Sequence, residues 1–145
     1  KNIVGSNASA SVILPAILFL VAIFLSFSTG TSWGTFAILV PIAIAMFPGA
    51  DNMQMMIIAV SAVLSGAVCG DHVSPNSDTT VMSSAGAQSN HINHVTTQMQ
   101  YAAVVAVVSA VGFLLAGFVH VWWIVLGVSL ILLLAVLTVL RKVAK

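Results

Sequence analysis

Charge is the scarcest commodity in this chain. Of 145 residues only 5% are charged and 60% are hydrophobic, with a mean hydropathy of +1.15, whereas a soluble domain carries about 25% charged residues. So few charges cannot cover a water-soluble globule, and the remaining apolar surface must face lipid. The basic residues stand at the two ends, Lys1 and then Arg141, Lys142 and Lys145. They form no basic face, which excludes nucleic acid as a partner. Glutamate is absent, and with it the usual general base of a metal-dependent hydrolase. The single cysteine, Cys69, excludes an intrachain disulfide framework. The opening KNIVGSNASA has neither an initiator methionine nor a charged leader, so the expectation is a C-terminal segment of a longer polypeptide.

Long apolar runs are also missing from the first two-thirds. A helix needs roughly 20 apolar residues to cross about 30 Å of hydrocarbon. Residues 102–119 and 121–140 meet that length, with Trp122 and Trp123 between them as headgroup-level or packing residues. Residues 12–25 and 36–47 do not, and SFSTGTSWGT (26–35) separates them. Ten polar-tolerant residues with two glycines favour a re-entrant hairpin over 12–47, because bare backbone at membrane depth survives only in a protein-lined cavity. Residues 53–68 are again short and run into CGDHVSPNSDTT (69–80), with a further helical stretch over 79–87. Together, 53–90 reads as one crossing broken in the middle, followed by transmembrane helices at 97–119 and 121–141. The predicted fold is an all-α polytopic membrane protein, one domain over 1–145. Arg141, Lys142 and Lys145 place its tail in the cytoplasm, so the hairpin enters from outside.

What charge there is concentrates in CGDHVSPNSDTT, which holds two of the three acidic residues, Asp71 and Asp78. Ionisable groups inside a membrane are costly and mark ion or substrate paths; a solvated loop is the competing reading, and depth decides between them. Asp78 precedes Thr79 and Thr80 at a helix start, where it is expected to cap free N–H groups. Asp71 is expected just past the preceding half-helix, where the negative helix end favours a proton and a bound cation favours the bare carboxylate. That is the requirement for sodium and a proton to compete for one group, and Asp71 is the expected coupling residue. Ser74, Ser77, Thr79 and Thr80, with a carbonyl freed by Pro75, supply hard oxygen ligands, sodium being expected near Asp71, Ser74 and Ser77. At the hairpin tip, carbonyls of 26–28 are expected to face a cation, Thr31, Ser32 and Thr35 to cap the returning arm, and Gly30 and Gly34 to permit close backbone approach. Cys69, His72, His91 and His94 have ligand-like spacing, which makes a membrane metal-binding protein or metalloenzyme the alternative of another class. Otherwise His91 and His94 read as hydrogen-bonding or proton-relay residues, and His120 as a solvated turn residue.

GTSWGT (30–35), SGAVCGDHVSPNSDTT (65–80), SSAGA (83–87) and HINHVTTQMQYA (91–102), in that order, resemble the NhaC family of sodium/proton antiporters, in the C-terminal portion of that fold. The resemblance implies one half of an inverted-repeat transporter, each half holding a re-entrant hairpin and a broken helix. It places Asp71, His72, Ser74, Ser77, Asp78 and Thr79 in the ion-coupling region, with Thr31, Ser32 and Thr35 at the facing tip. It implies a prokaryotic cell membrane, no enzyme activity and no cofactor, with Na+ and H+ as cargo. The implied partners are the lipid bilayer and the N-terminal half of the same transporter, and a homodimer stays open. The chain departs from the family at Asn90, Asn93 and Thr96, where charged residues are frequent. Relatives that carry organic acids or amino acids leave a small carboxylate or amino acid open as substrate.

Overall fold

The computed structural model describes residues 8–49, 52–119 and 121–143; Lys1, Asp51, His120 and Lys145 lie outside them. Among the described residues the chain is all-α: α1 (Ala8–Thr29), α2 (Ser32–Met46), α3 (Met53–Val73), α4 (Asp78–Gly86), α5 (His91–Phe118) and α6 (Trp122–Val143).

The first arm is longer than its apolar run. Residues 26–29 were expected to begin the polar interruption, yet they complete α1. Ser28 donates its hydroxyl to Phe24 O at 2.8 Å and Thr29 to Leu25 O at 2.9 Å, so these polar side chains are satisfied by the helix that carries them. Gly30 ends α1 with φ +70°, its N–H donating to Ser26 O at 2.8 Å in a left-handed cap. Thr31 then opens α2 as N-cap, accepting from Gly34 N at 3.3 Å.

The same correction applies to α3, which runs past residue 68 to Val73. Four stretches, Ser11–Thr29, Met53–Val73, His91–Phe118 and Trp122–Lys142, are long and apolar enough to cross a bilayer, while α2 is shorter. The interruption at 74–77 therefore stands at the end of a helix already of spanning length. α5 starts earlier than expected because Asn90 caps it, accepting from Asn93 N at 3.2 Å, and Thr96 and Thr97 turn their hydroxyls back onto Ile92 O and Asn93 O.

Lipid tails are as apolar as leucine, so helices in a bilayer associate through close packing rather than the hydrophobic effect. α3 is built for this, presenting Ala59, Ala62, Val63, Gly66, Ala67 and Gly70 as its buried face. A Cβ at Gly66 would run into the Phe19 carbonyl, and one at Gly70 into the Ile23 carbonyl, so α1 and α3 touch backbone to backbone. α2 closes this pair through Leu39, Ala43 and its C-cap Phe47, which share one core with Leu18, Ala22, Ala59, Val63 and Ala67. α5 returns alongside, with Phe113 against Phe19 at a ring separation of 5.2 Å. The apolar stretch of α6 has no buried residue, and Trp122 and Trp123 at its start are exposed and stacked on each other. Its exposed Ile131, Leu134 and Val139 need an apolar surround.

Candidate ion-coupling site

Pro75 breaks the helix. It has no N–H to donate and holds Ser74 extended at φ −71°, ψ 130°. Ser74 N–H falls back on Asp71 O at 3.2 Å, and Ser77 N–H on Ser74 O at 3.3 Å, which closes a tight turn before α4. The Ser74 hydroxyl, expected as a sodium ligand, donates to Phe27 O at 2.7 Å and accepts from Asn76 N at 3.3 Å. It ties the break to the last turn of α1. Gly30 completes this join, because a Cβ there would stand 2.8 Å from the backbone carbonyl of Asn76. The hairpin tip and the interruption are thus one packed unit.

Asp71 lies in the last turn of α3, not beyond it, and both of its carboxylate oxygens are engaged. Ser77 donates to Oδ1 at 2.6 Å, and Ser32, from the first turn of α2, donates to Oδ2 at 3.0 Å. With its single proton committed to the carboxylate, Ser77 accepts from Thr79 across 2.7 Å, giving a donor chain Thr79–Ser77–Asp71. An ionised carboxylate has about four lone-pair positions. Two hydroxyls fill part of that capacity, and the rest can take a hard cation or a proton.

Asp78 does not cap α4. The N-cap is Ser77, which makes no side-chain cap bond because its hydroxyl is turned to Asp71, and Asp78 sits exposed in the first helical turn. Thr80 is buried and donates to the His72 carbonyl at 3.3 Å, stitching α4 to α3, while the His72 side chain is exposed. Thr35 returns its hydroxyl to Thr31 O at 3.0 Å. The expected cation-facing carbonyls at the tip are held by protein donors: Ser26 O by Gly30 N–H, and Phe27 O by Ser74.

His91 makes a contact that spacing alone did not reveal. Its Nε2 lies 2.9 Å from Pro75 O and its Nδ1 2.9 Å from Ser84 Oγ, which ties the start of α5 both to the break and to the last turn of α4. Pro75 O can only accept, so Nε2 carries a proton. His94 is half-buried one turn further along α5. Among the described residues no three His, Cys, Asp or Glu side chains come together as a group that could hold a metal ion, so the set Cys69, His72, His91 and His94 forms no cluster. A cleft of about 690 Å³ between α3, α5 and α6 contains neither Asp71 nor any hairpin-tip residue.

Comparison with known proteins gives this arrangement a context. The sequence model described as the Na+/H+ antiporter family matches residues 1–118. An uncharacterised protein of Haemophilus influenzae is 54% identical over 107 residues, covering 74% of this chain and 20% of that protein. The malate-2H(+)/Na(+)-lactate antiporter of Bacillus subtilis is 33% identical over 111 residues, covering 76% of this chain and 23% of that protein. The chain thus spans about a fifth of the length of the curated relatives it matches. No solved structure matches it.

Proposed function

The chain belongs to the Na+/H+ antiporter family, a multi-pass protein of the cell membrane, and from that premise we propose that it forms the ion-coupling part of a secondary active transporter that exchanges sodium for protons by alternating access. Asp71 is the coupling group. It holds either Na+ or H+, and the two occupancies exclude each other because they need the same lone pairs. The observation that carries this reading is the double engagement of Asp71, with one oxygen bound by Ser32 of the hairpin and the other by Ser77 of the break. A cation entering there alters the hold on both elements at once, which is the differential contact that a shift between two conformations requires.

The surroundings support a site below the headgroups. Phe24, Trp33, Met82 and Ile92, all flanking the tip or the break, expose 63–80% of their surface. On this reading these apolar side chains face lipid, while the exposed polar side chains of His72, Asn76, Asp78 and Thr79 line the ion path or meet the N-terminal half. Residues 12–47 are then a re-entrant hairpin and 53–90 a discontinuous helix, α1 and α3 having the length to span but ending below the headgroups at the polar tip and break, and the N-terminal half of the same transporter completes the fold. Na+ and H+ are cargo, with no resident cofactor and no covalent chemistry to catalyse.

The test uses the full-length transporter in vesicles with an imposed pH gradient. Sodium collapses the gradient with the native protein, and Asp71→Asn abolishes that response. Undiminished exchange by Asp71→Asn removes Asp71 from the mechanism. A second reading, sodium-coupled exchange of a small carboxylate, is favoured by the Bacillus subtilis relative and by the N-termini of α2 and α4 converging on the site, since helix N-termini attract anions. Sodium flux stimulated by malate or lactate, with no response to a pH gradient alone, selects it.

A further inference from the structure

We propose that the Ser26 hydroxyl is a ligand of the transported alkali cation, completing the site around Asp71; this rests on the reading of Asp71 as the coupling carboxylate. Ser26 is fully buried and its Oγ has no hydrogen-bond partner. That is unusual for this chain. Ser28, Thr29, Thr35, Ser83, Thr96 and Thr97 all turn their hydroxyls back onto a carbonyl one turn earlier, which is the ordinary refuge of a helical hydroxyl away from water. Ser26 forgoes that refuge in a place that water does not reach, where an unmade hydrogen bond is costly.

Register places this hydroxyl at the level of the carboxylate. Ala22 of α1, Leu39 of α2 and Ala67 of α3 belong to one apolar core. One helical turn toward the tip, the corresponding positions are Ser26, Thr35 and Asp71, since α1 and α3 run toward the tip and α2 runs away from it. Gly70 confirms the level. A Cβ there would meet the Ile23 carbonyl and stand 2.9 Å from Phe27 N, the residues that bracket Ser26 on α1. The apolar layer is thus followed by a polar one, in which Ser26 and Thr35 are 0% and 1% exposed. Thr35 spends its proton on Thr31 O, leaving its oxygen as an acceptor. The layer offers two neutral oxygens and a carboxylate with spare lone pairs, a hard oxygen set that suits an alkali cation. A proton on Asp71 needs none of the Ser26 oxygen, so this residue sets sodium affinity in particular.

The test compares Ser26→Ala, Ser28→Ala and Asp71→Asn in the full-length transporter, measuring exchange kinetics and the rise in melting temperature on adding NaCl. Ser26→Ala raises the apparent KM for sodium about tenfold, the loss of roughly one good ligand contact, with maximal rate within about twofold, and it shrinks the sodium-induced thermal shift. Ser28→Ala, whose hydroxyl already has a partner, changes neither. A wild-type sodium KM and thermal shift in Ser26→Ala, or a loss of maximal rate without a KM change, overturns the proposal. If the alanine variant does not accumulate, Ser26→Cys puts soft sulfur in place of hard oxygen and must show the same loss of sodium affinity. Normal exchange by Asp71→Asn sinks the underlying reading itself. Loss of exchange by Asp71→Asn beside an unchanged Ser26→Ala sinks only the ligand assignment.

Discussion

Gly70 is where packing and chemistry meet, and Gly70→Ala separates them from ordinary helix propensity. On its own terms alanine improves a helix by about 1 kcal/mol over glycine. Here the added methyl would overlap the Ile23 carbonyl and crowd Phe27 N, both backbone atoms of α1. A backbone carbonyl cannot rotate away like the end of a flexible side chain, so α1 and α3 must part by about 1 Å to restore ordinary contact. Overpacking of this kind costs about 1–3 kcal/mol, and the backbone target puts it toward the upper end, for a net loss of about 1–2 kcal/mol. The larger effect falls on activity. Asp71 is the next residue, and its bonds to Ser32 and Ser77 bridge elements held against α1; a misplacement of about 1 Å at a reacting group costs on the order of a hundredfold. The control is Gly127→Ala on α6, where an added Cβ meets nothing within 4 Å, and stability should hold or rise. Detergent melting curves and initial exchange rates of the full-length transporter give both readouts. If Gly70→Ala melts like the native protein and exchanges at the native rate, the backbone contact between α1 and α3 does not position the site.

Two further outcomes follow from the hydrogen bonds. Ser77→Ala removes the donor to Asp71 Oδ1 and strands Thr79; initial exchange rates should fall about tenfold, and Thr79→Val, one step removed, should cost less. His91→Phe unpairs Pro75 O and removes one of the two partners of Ser84 Oγ, which keeps its bond to Val81 O; this should destabilise by about 1–3 kcal/mol and speed amide hydrogen exchange at Asn76 and Ser77, with His94→Phe near neutral in the same measurements.

The features that punctuate backbone were the legible ones. Pro75 announced the interruption and Gly30 the turn of the hairpin, because each imposes a local geometry that no tertiary contact has to supply. Helix limits were harder to read. Residues 26–29 are too polar for an apolar-run argument, yet they are helical because Ser28 and Thr29 satisfy their own hydroxyls. The cap of α4 was expected at Asp78 and is Ser77, the adjacent residue of equal capping propensity. The deciding contact, Ser77 to Asp71, is tertiary in origin. Ser32 to Asp71 spans 39 positions of sequence and Ser74 to Phe27 spans 47; no periodicity encodes such pairs. His91 was noticed for its spacing to His94, whereas its actual partners are Ser84 and Pro75.

The long-range bonds also explain why so little charge is spent and why it is spent at this point. In lipid the apolar faces of α1, α2 and α3 contribute little to specificity, since lipid satisfies them equally well. Close glycine contacts fix distance, but directional polar contacts are needed to fix how the turn between α1 and α2 meets the segment between α3 and α4. Asp71 supplies that fixing through Ser32 and Ser77, and Ser74 reinforces it through Phe27. On the proposed mechanism the same carboxylate is the one that binds cargo, so a change of occupancy acts directly on the bonds that hold the hairpin in register. A carboxylate elsewhere on α3 could bind a cation equally well but would leave the hairpin indifferent to it. On that mechanism, coupling follows from the assignment of both tasks to one side chain.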